Sequence, residues 1–229
     1  MTAIAVALFG SRARGDHKPE SDTDILLVVT EGTARVTTSG TVSLSIYPID
    51  DLATRAQRGD LFTGHLVIDA QPLYDPTGFI PQLRGLWKPK DDYSLEIRRA
   101  SDLATFLMLH QNILAAPAFS SRRIAWCVKT ILIAHSVAAG RPAYSDHDLA
   151  SLAGDVNLLR LLELKTQPDT TTERMRQLGD FLTRWGIVGF SANDSSVSAF
   201  VSHFVATGNE IALKTLAAKH EYSDDDYGG

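Results

Sequence analysis

The stretch FGSRARGDHKPESDTDILLVV, residues 9–29, decides how this chain is read. It sets two glycines, two arginines and the pair Asp22 and Asp24 between two apolar runs. The upstream run, Ala3 to Phe9, is continuously apolar and ends in Gly10-Ser11, which predicts a buried strand entering a tight turn. Downstream, Ile25 to Val29 predicts a second strand. Asp22 and Asp24 are two residues apart, so on a strand both carboxylates project from one face. Two like charges held that close repel unless a cation lies between them. Hard oxygen ligands at a partly open site suit Mg²⁺, which keeps waters and shares its shell with substrate phosphates. Gly10 lets backbone N–H groups approach a phosphate, Ser11 offers a hydroxyl donor, and Arg12 and Arg14 are near enough in sequence to neutralise it. The residues predict a metal–nucleotide site.

Two common phosphate motifs are excluded. Gly10 and Gly15 satisfy the glycine spacing of a P-loop, but Asp16-His17 stands where Lys-Ser/Thr is required. The G-x-G-x-x-G of a dinucleotide fold is absent as well. What remains is strand, Gly-Ser, a short basic turn, then Ser-Asp-x-Asp opening a second strand.

From Leu8 to Val28 this pattern resembles the minimal nucleotidyltransferases of the DNA polymerase β superfamily, with an apolar residue, Gly-Ser, a spacer, and Asp-x-Asp between apolar residues. The resemblance implies an α+β fold: a polymerase-β-like core with a mixed sheet and flanking helices over residues 1–88. An all-α domain over 89–220, loosely similar to that of antibiotic nucleotidyltransferases, would follow it. It further implies that Gly10, Ser11, Arg12, Arg14 and Ser21 bind the nucleotide, and that Asp22 and Asp24 are catalytic and hold one or two Mg²⁺ ions. Such ions align an attacking hydroxyl and stabilise the leaving pyrophosphate. The implied reaction moves an NMP, expected to be AMP from ATP, to a hydroxyl of a small molecule or a protein. The alternative is a catalytically degenerate member of the fold that binds nucleotide or a partner protein, in the manner of an antitoxin or regulatory module.

The chain departs from the family pattern in three places. It reaches the first strand almost at once, where relatives commonly have a helix. Thr30 to Gly40 is too short and too rich in Thr and Gly for the usual second helix. On the next core strand, where the family commonly carries a third carboxylate, the sequence reads Val42-Ser43-Leu44-Ser45, so Ser43 takes the acid position. Asp50, Asp51, Glu96 and Asp102 are weighed as substitutes, against ordinary solvated or paired charges; Asp102 follows Arg98 by four residues and could pair with it. His65 is weighed as a base against a structural histidine, and Arg122, Arg123 and Lys129 as phosphate ligands against a solvent-facing stripe. Cys127 and His135 lack a second ligand pair for zinc. Trp87, Trp126 and Trp185 are assigned to packing.

Outward from the motif, Thr41 to Tyr47 alternates as a half-covered strand should, Ile49 to Gln57 suits a short helix, and His65 to Tyr74 is expected to supply another strand. After a boundary at Leu86 to Asp92, helical spacing dominates. Helices are expected over Ser94–Ala115, with Pro117 terminating it, Ser120–Ala139, Asp146–Leu152, Asn157–Leu164, Thr170–Trp185 and Asp194–Lys219. Residues 221–229 are expected to be a disordered acidic tail.

Of the 229 residues, 44% are hydrophobic and 21% charged, as in an ordinary globular protein. A formal charge of −5 argues against a general nucleic-acid binder, which needs a basic face to displace counterions. One cysteine cannot form an internal disulfide, no signal-peptide pattern precedes the first strand, and no apolar run reaches the roughly 18 residues of a membrane span. A cytoplasmic protein without a membrane role is expected, and homo-oligomer formation is left open.

Overall fold

The computed structural model describes residues 2–19, 21–110, 117–155, 157–165, 172–191 and 195–217. The chain falls into two compact units, one running through Asp91 and the other beginning at Asp92.

The first unit is built on a five-stranded mixed sheet in the order β3-β4-β2-β1-β5. Strands β1 (Ala3–Phe9) and β2 (Thr23–Val29) pair antiparallel, and β4 (Val42–Pro48) lies parallel to β2. The short strands β3 (Arg35–Ser39) and β5 (Gln71–Tyr74) form the edges, antiparallel to β4 and β1. Thr30 to Gly40 is indeed no helix: its second half is β3, which turns through Gly40 into β4.

Side-chain alternation decides which face is covered. Ala5, Ala7 and Phe9 of β1, Leu26 and Val28 of β2 and Tyr47 of β4 share one face, fully or almost fully buried. Onto it pack Leu52 and Ala56 of α2 (Ile49–Gln57), Leu66 of α3 (Leu61–Asp69) and Ile80 and Leu83 of α4 (Phe79–Leu86). Trp87 packs at the edge of this core.

His65 to Tyr74 is not one strand. Its first half belongs to α3, which starts because Asp60 caps it, accepting from the Thr63 N–H at 2.8 Å. Arg84 closes its other end, donating to the carbonyls of Val67 and Ala70 at 2.9 and 2.6 Å. Only Gln71–Tyr74 extends as a strand.

The second unit is helical: α5 (Ser94–His110), α6 (Pro117–Ala138), α7 (Asp146–Ala153), α8 (Asn157–Leu162) with a 3₁₀ turn (Glu163–Lys165), α9 (Thr172–Arg184), α10 (Val197–Ala206) and α11 (Glu210–Ala217). Its core gathers Leu103, Phe106, Ile124, Val128, Phe200 and Phe204 among others, with Trp126 and Trp185 packed against it. Pro117 opens α6 instead of only ending its predecessor, as proline suits a first helical turn. The single helix expected over Asp194–Lys219 is two. Gly208, at φ +58°, breaks it, and buried Asn209 starts α11, its Oδ1 accepting from the Ala212 N–H at 3.3 Å. The predicted end of α5 at Ala115 and the expected acidic tail lie outside the described residues.

Candidate active site

The Gly-Ser turn folds as α1 (Gly10–Arg14), a helix of five residues between β1 and a left-handed Gly15. So short a helix cannot stand alone, and its neighbours hold it. Gly10 sits at φ +73°, and a Cβ built on it would come 2.5 Å from Asp24 Oδ2. The Asp24 carboxylate therefore lies against the bare Cα of the turn, in space that only glycine leaves open. The β1–β2 register, Phe9 beside Asp24, produces this approach. Ser11 is half-buried; its carbonyl accepts the N–H groups of Gly15 and Asp16 at 2.9 and 3.1 Å, and its hydroxyl has no hydrogen-bond partner among the described residues.

The two arginines do different things. Arg12 reaches across to the entry of β2, donating from Nη2 to the Ser21 carbonyl at 2.8 Å and from Nε to the Asp22 carbonyl at 3.2 Å. It fastens the backbone that carries Asp22. Arg14 turns the other way: its Nη1 pairs with Asp69 Oδ2 at the end of α3 and lies 3.4 Å from His65 Nε2, while its Nε donates to Asp16 at 3.1 Å. Burial works against its charge, and the Asp69 and Asp16 carboxylates outweigh burial, so its pKa is raised. Ser21 closes the preceding turn, its hydroxyl accepting from the Lys18 N–H at 2.9 Å. Asp22 stands immediately before β2 and Asp24 within it, both half-buried.

Ser43 is the in-register neighbour of Asp24 in the parallel β2–β4 pair, and register partners on adjacent strands project from one face. Ser43 is 9% exposed. Among the described residues, no group of three or more His, Cys, Asp and Glu side chains is placed to hold a metal ion. A cation here would have the hard oxygens of Asp22 and Asp24 from the protein and need others from a phosphate or water, which suits Mg²⁺.

The substitutes considered for a third acid fare differently. Asp102, in the second unit, is buried and structural: it accepts from the Phe190 N–H at 2.7 Å, and His203 Nε2 lies 2.7 Å from its other oxygen. Its partner is thus not Arg98. Asp51 pairs with Arg55 along α2 at 3.3 Å. Lys129 pairs with Asp146 at 2.8 Å. Cys127 is fully buried, which pushes its thiol pKa far up. His65 is engaged by Asp69, at 2.8 Å between Nε2 and Oδ2. Asp69 and Gln71, whose side chain donates to the Ala13 carbonyl, complete the surroundings of α1 and were not singled out from sequence. The signal for Asp69 was its i,i+4 spacing from His65, which carries meaning only on a helix.

A nucleotidyltransferase domain family matches residues 3–97. No curated protein matches the chain. Among solved structures, the chain is similar to a nucleotidyltransferase-like protein from Exiguobacterium sibiricum 255-15, at 12% identity over 96% of this chain and 75% of that one, with a TM-score of 0.32. That likeness is too distant to assign anything. The Gly-Ser turn, the paired aspartates and the mixed sheet all fall inside the matched segment, and residues 3–97 are a nucleotidyltransferase domain of the polymerase β-like superfamily.

Proposed function

We propose that the protein is a Mg²⁺-dependent nucleotidyltransferase that moves an NMP, AMP from ATP in the first instance, to a hydroxyl of a small molecule or a protein and releases pyrophosphate. The observation that carries this reading is the packing of the Asp24 carboxylate against Gly10. One φ-positive glycine brings the phosphate turn and the metal carboxylate into van der Waals reach of each other. Gly10 and Ser11 would receive the triphosphate, and the Ser11 hydroxyl, without a hydrogen-bond partner among the described residues, is a donor for it. Asp22 and Asp24 would hold the metal, with Arg12 keeping the Asp22 backbone in place. Bound Mg²⁺ would supply charge stabilisation to the departing pyrophosphate.

Ser43 favours a second reading, a member of the fold that binds Mg–NTP or a partner without turnover. A serine hydroxyl does not accept a proton at neutral pH, so it cannot replace a carboxylate base beside Asp24. Incubation of the purified chain with labelled ATP, Mg²⁺ and a panel of hydroxylated small molecules and proteins separates the two. Label transfer that Asp22→Asn and Asp24→Asn each abolish supports the enzyme. Mg²⁺-dependent ATP binding with no transfer to any acceptor supports the nucleotide-binding module, and absence of ATP binding sinks the enzyme acting on ATP and leaves only the partner-binding form of the second reading. Ser43→Asp adds a second test: a new carboxylate beside Asp24 repels it in the apo protein and is relieved by a cation. This variant is expected to melt below wild type in EDTA and to gain more in Tm from added Mg²⁺.

A further inference from the structure

We infer that Asp69, together with His65, is a positioning residue that fixes the Gly10–Ser11 turn by gripping Arg14. Its importance for catalysis rests on the nucleotidyltransferase reading, whereas its grip on α1 does not.

Asp69 is a carboxylate 6% exposed at the last position of α3. That placement is unfavourable twice over. A charge loses its hydration on burial, and the C-terminal end of a helix carries partial negative charge that repels a carboxylate. Its partners reverse the balance. Burial pushes the Asp69 pKa up, while the hydrogen bond and charge of His65, followed by the charge of Arg14, hold it below the ordinary aspartate range. It stays ionised, and its ionised form grips a guanidinium that arrives 55 residues earlier in the chain.

The geometry points this grip at α1. Arg14 is the last residue of that helix, and the Gln71 side chain, next to α3 in sequence, binds the Ala13 carbonyl one residue before it. His65 completes the corner. Its ring stands edge-on to Phe9 at 5.6 Å, and Phe9 is both the residue before Gly10 and the register partner of Asp24. Arg12 ties the opposite side of α1 to the backbone of Ser21 and Asp22. The turn is thus stretched between two struts, one to the aspartate loop and one to α3. Arg14 belongs to the second: its charge is already matched by Asp69 and Asp16, which leaves Arg12 and the backbone nearer the phosphate role.

The test is amide hydrogen exchange in the full chain, with Mg–ATP affinity measured alongside. Asp69→Asn keeps the size of the side chain and removes the charge. The expected result is exchange at least about tenfold faster at the Gly15 and Asp16 amides with α2 unchanged, Mg–ATP affinity about tenfold weaker, and partial recovery of both in Asp69→Glu. Arg14→Gln should give the same local pattern, and Asp69→Asn added to it should have little further effect. This second variant also decides the matter if Asp69→Asn fails to fold. Unchanged exchange at Gly15 and Asp16 overturns the inference, as does acceleration spread evenly through the unit, which would mean general destabilisation. A wild-type chain that binds no Mg–ATP sinks the proposed function, while the local exchange pattern still decides the strut.

Discussion

Gly10 shows how much one missing methyl can control. Gly10→Ala forces an L side chain to φ +73° and drives its Cβ to 2.5 Å from Asp24 Oδ2, so the carboxylate must move. Gly15 has a similar φ, +81°, with nothing within 4 Å of its hypothetical Cβ. Gly15→Ala should therefore cost about 1 kcal/mol of backbone strain and little else. Gly10→Ala should cost more stability and abolish Mg²⁺-dependent nucleotide binding. Urea unfolding and Mg–ATP titration of the two variants side by side check this, and equal binding losses would refute the steric argument. Ser43 makes a complementary point at the same scale. Its place beside Asp24 was legible once the family pattern was laid on the sequence, because strand register is the only thing the inference needs.

At the scale of elements, α3 is where the sequence reading fell short. Gly64-His65-Leu66-Val67-Ile68 has the β-branched texture of a strand, yet Asp60 caps it and Leu66 enters the core from a helix. Reading a strand there put His65 and Asp69 four positions apart on a ladder, with no reason to meet; on a helix they touch. This pair carries a pH prediction. Asp69 has its folded pKa depressed by His65 and Arg14. Its stabilising contribution is present above about pH 4, the unfolded aspartate value, and is lost as pH falls through the lower folded value. Acid titration of stability should be steeper below about pH 4 in the wild type than in Asp69→Asn, which has no such carboxylate to protonate. Equal slopes would show that the grip contributes nothing to the folded state.

At the scale of the molecule, each unit has its own buried core. In the helical unit the buried Asp102 joins α5 to α10 through His203 and to the segment between α9 and α10 through the Phe190 N–H. The close approach there is steric too, since a Cβ on Gly189 would overlap Thr105 Oγ1. Asp102→Ala leaves the Phe190 N–H and a histidine without their buried acceptor and should destabilise this unit by about 2–4 kcal/mol. The measurable sign is loss of exchange protection in α5 and α10, and retained protection would show that Asp102 is dispensable. Among the described residues no helix is long and apolar enough to cross a membrane.

The strands on either side of Gly10, Ser11, Asp22 and Asp24, the serine on the strand beside Asp24 and the change to helical texture near residue 90 could be read directly along the chain. These features are local: apolar runs, a glycine turn and a two-residue spacing have their meaning within a few positions of the chain. That Arg12 holds the Asp22 loop, that Arg14 is claimed by a carboxylate 55 residues away and that Asp102 is a structural group became visible with the folded chain. Which partner a charged side chain takes depends on which elements the fold brings to it, and burial then fixes that choice, because a charge removed from water must keep the partner it has.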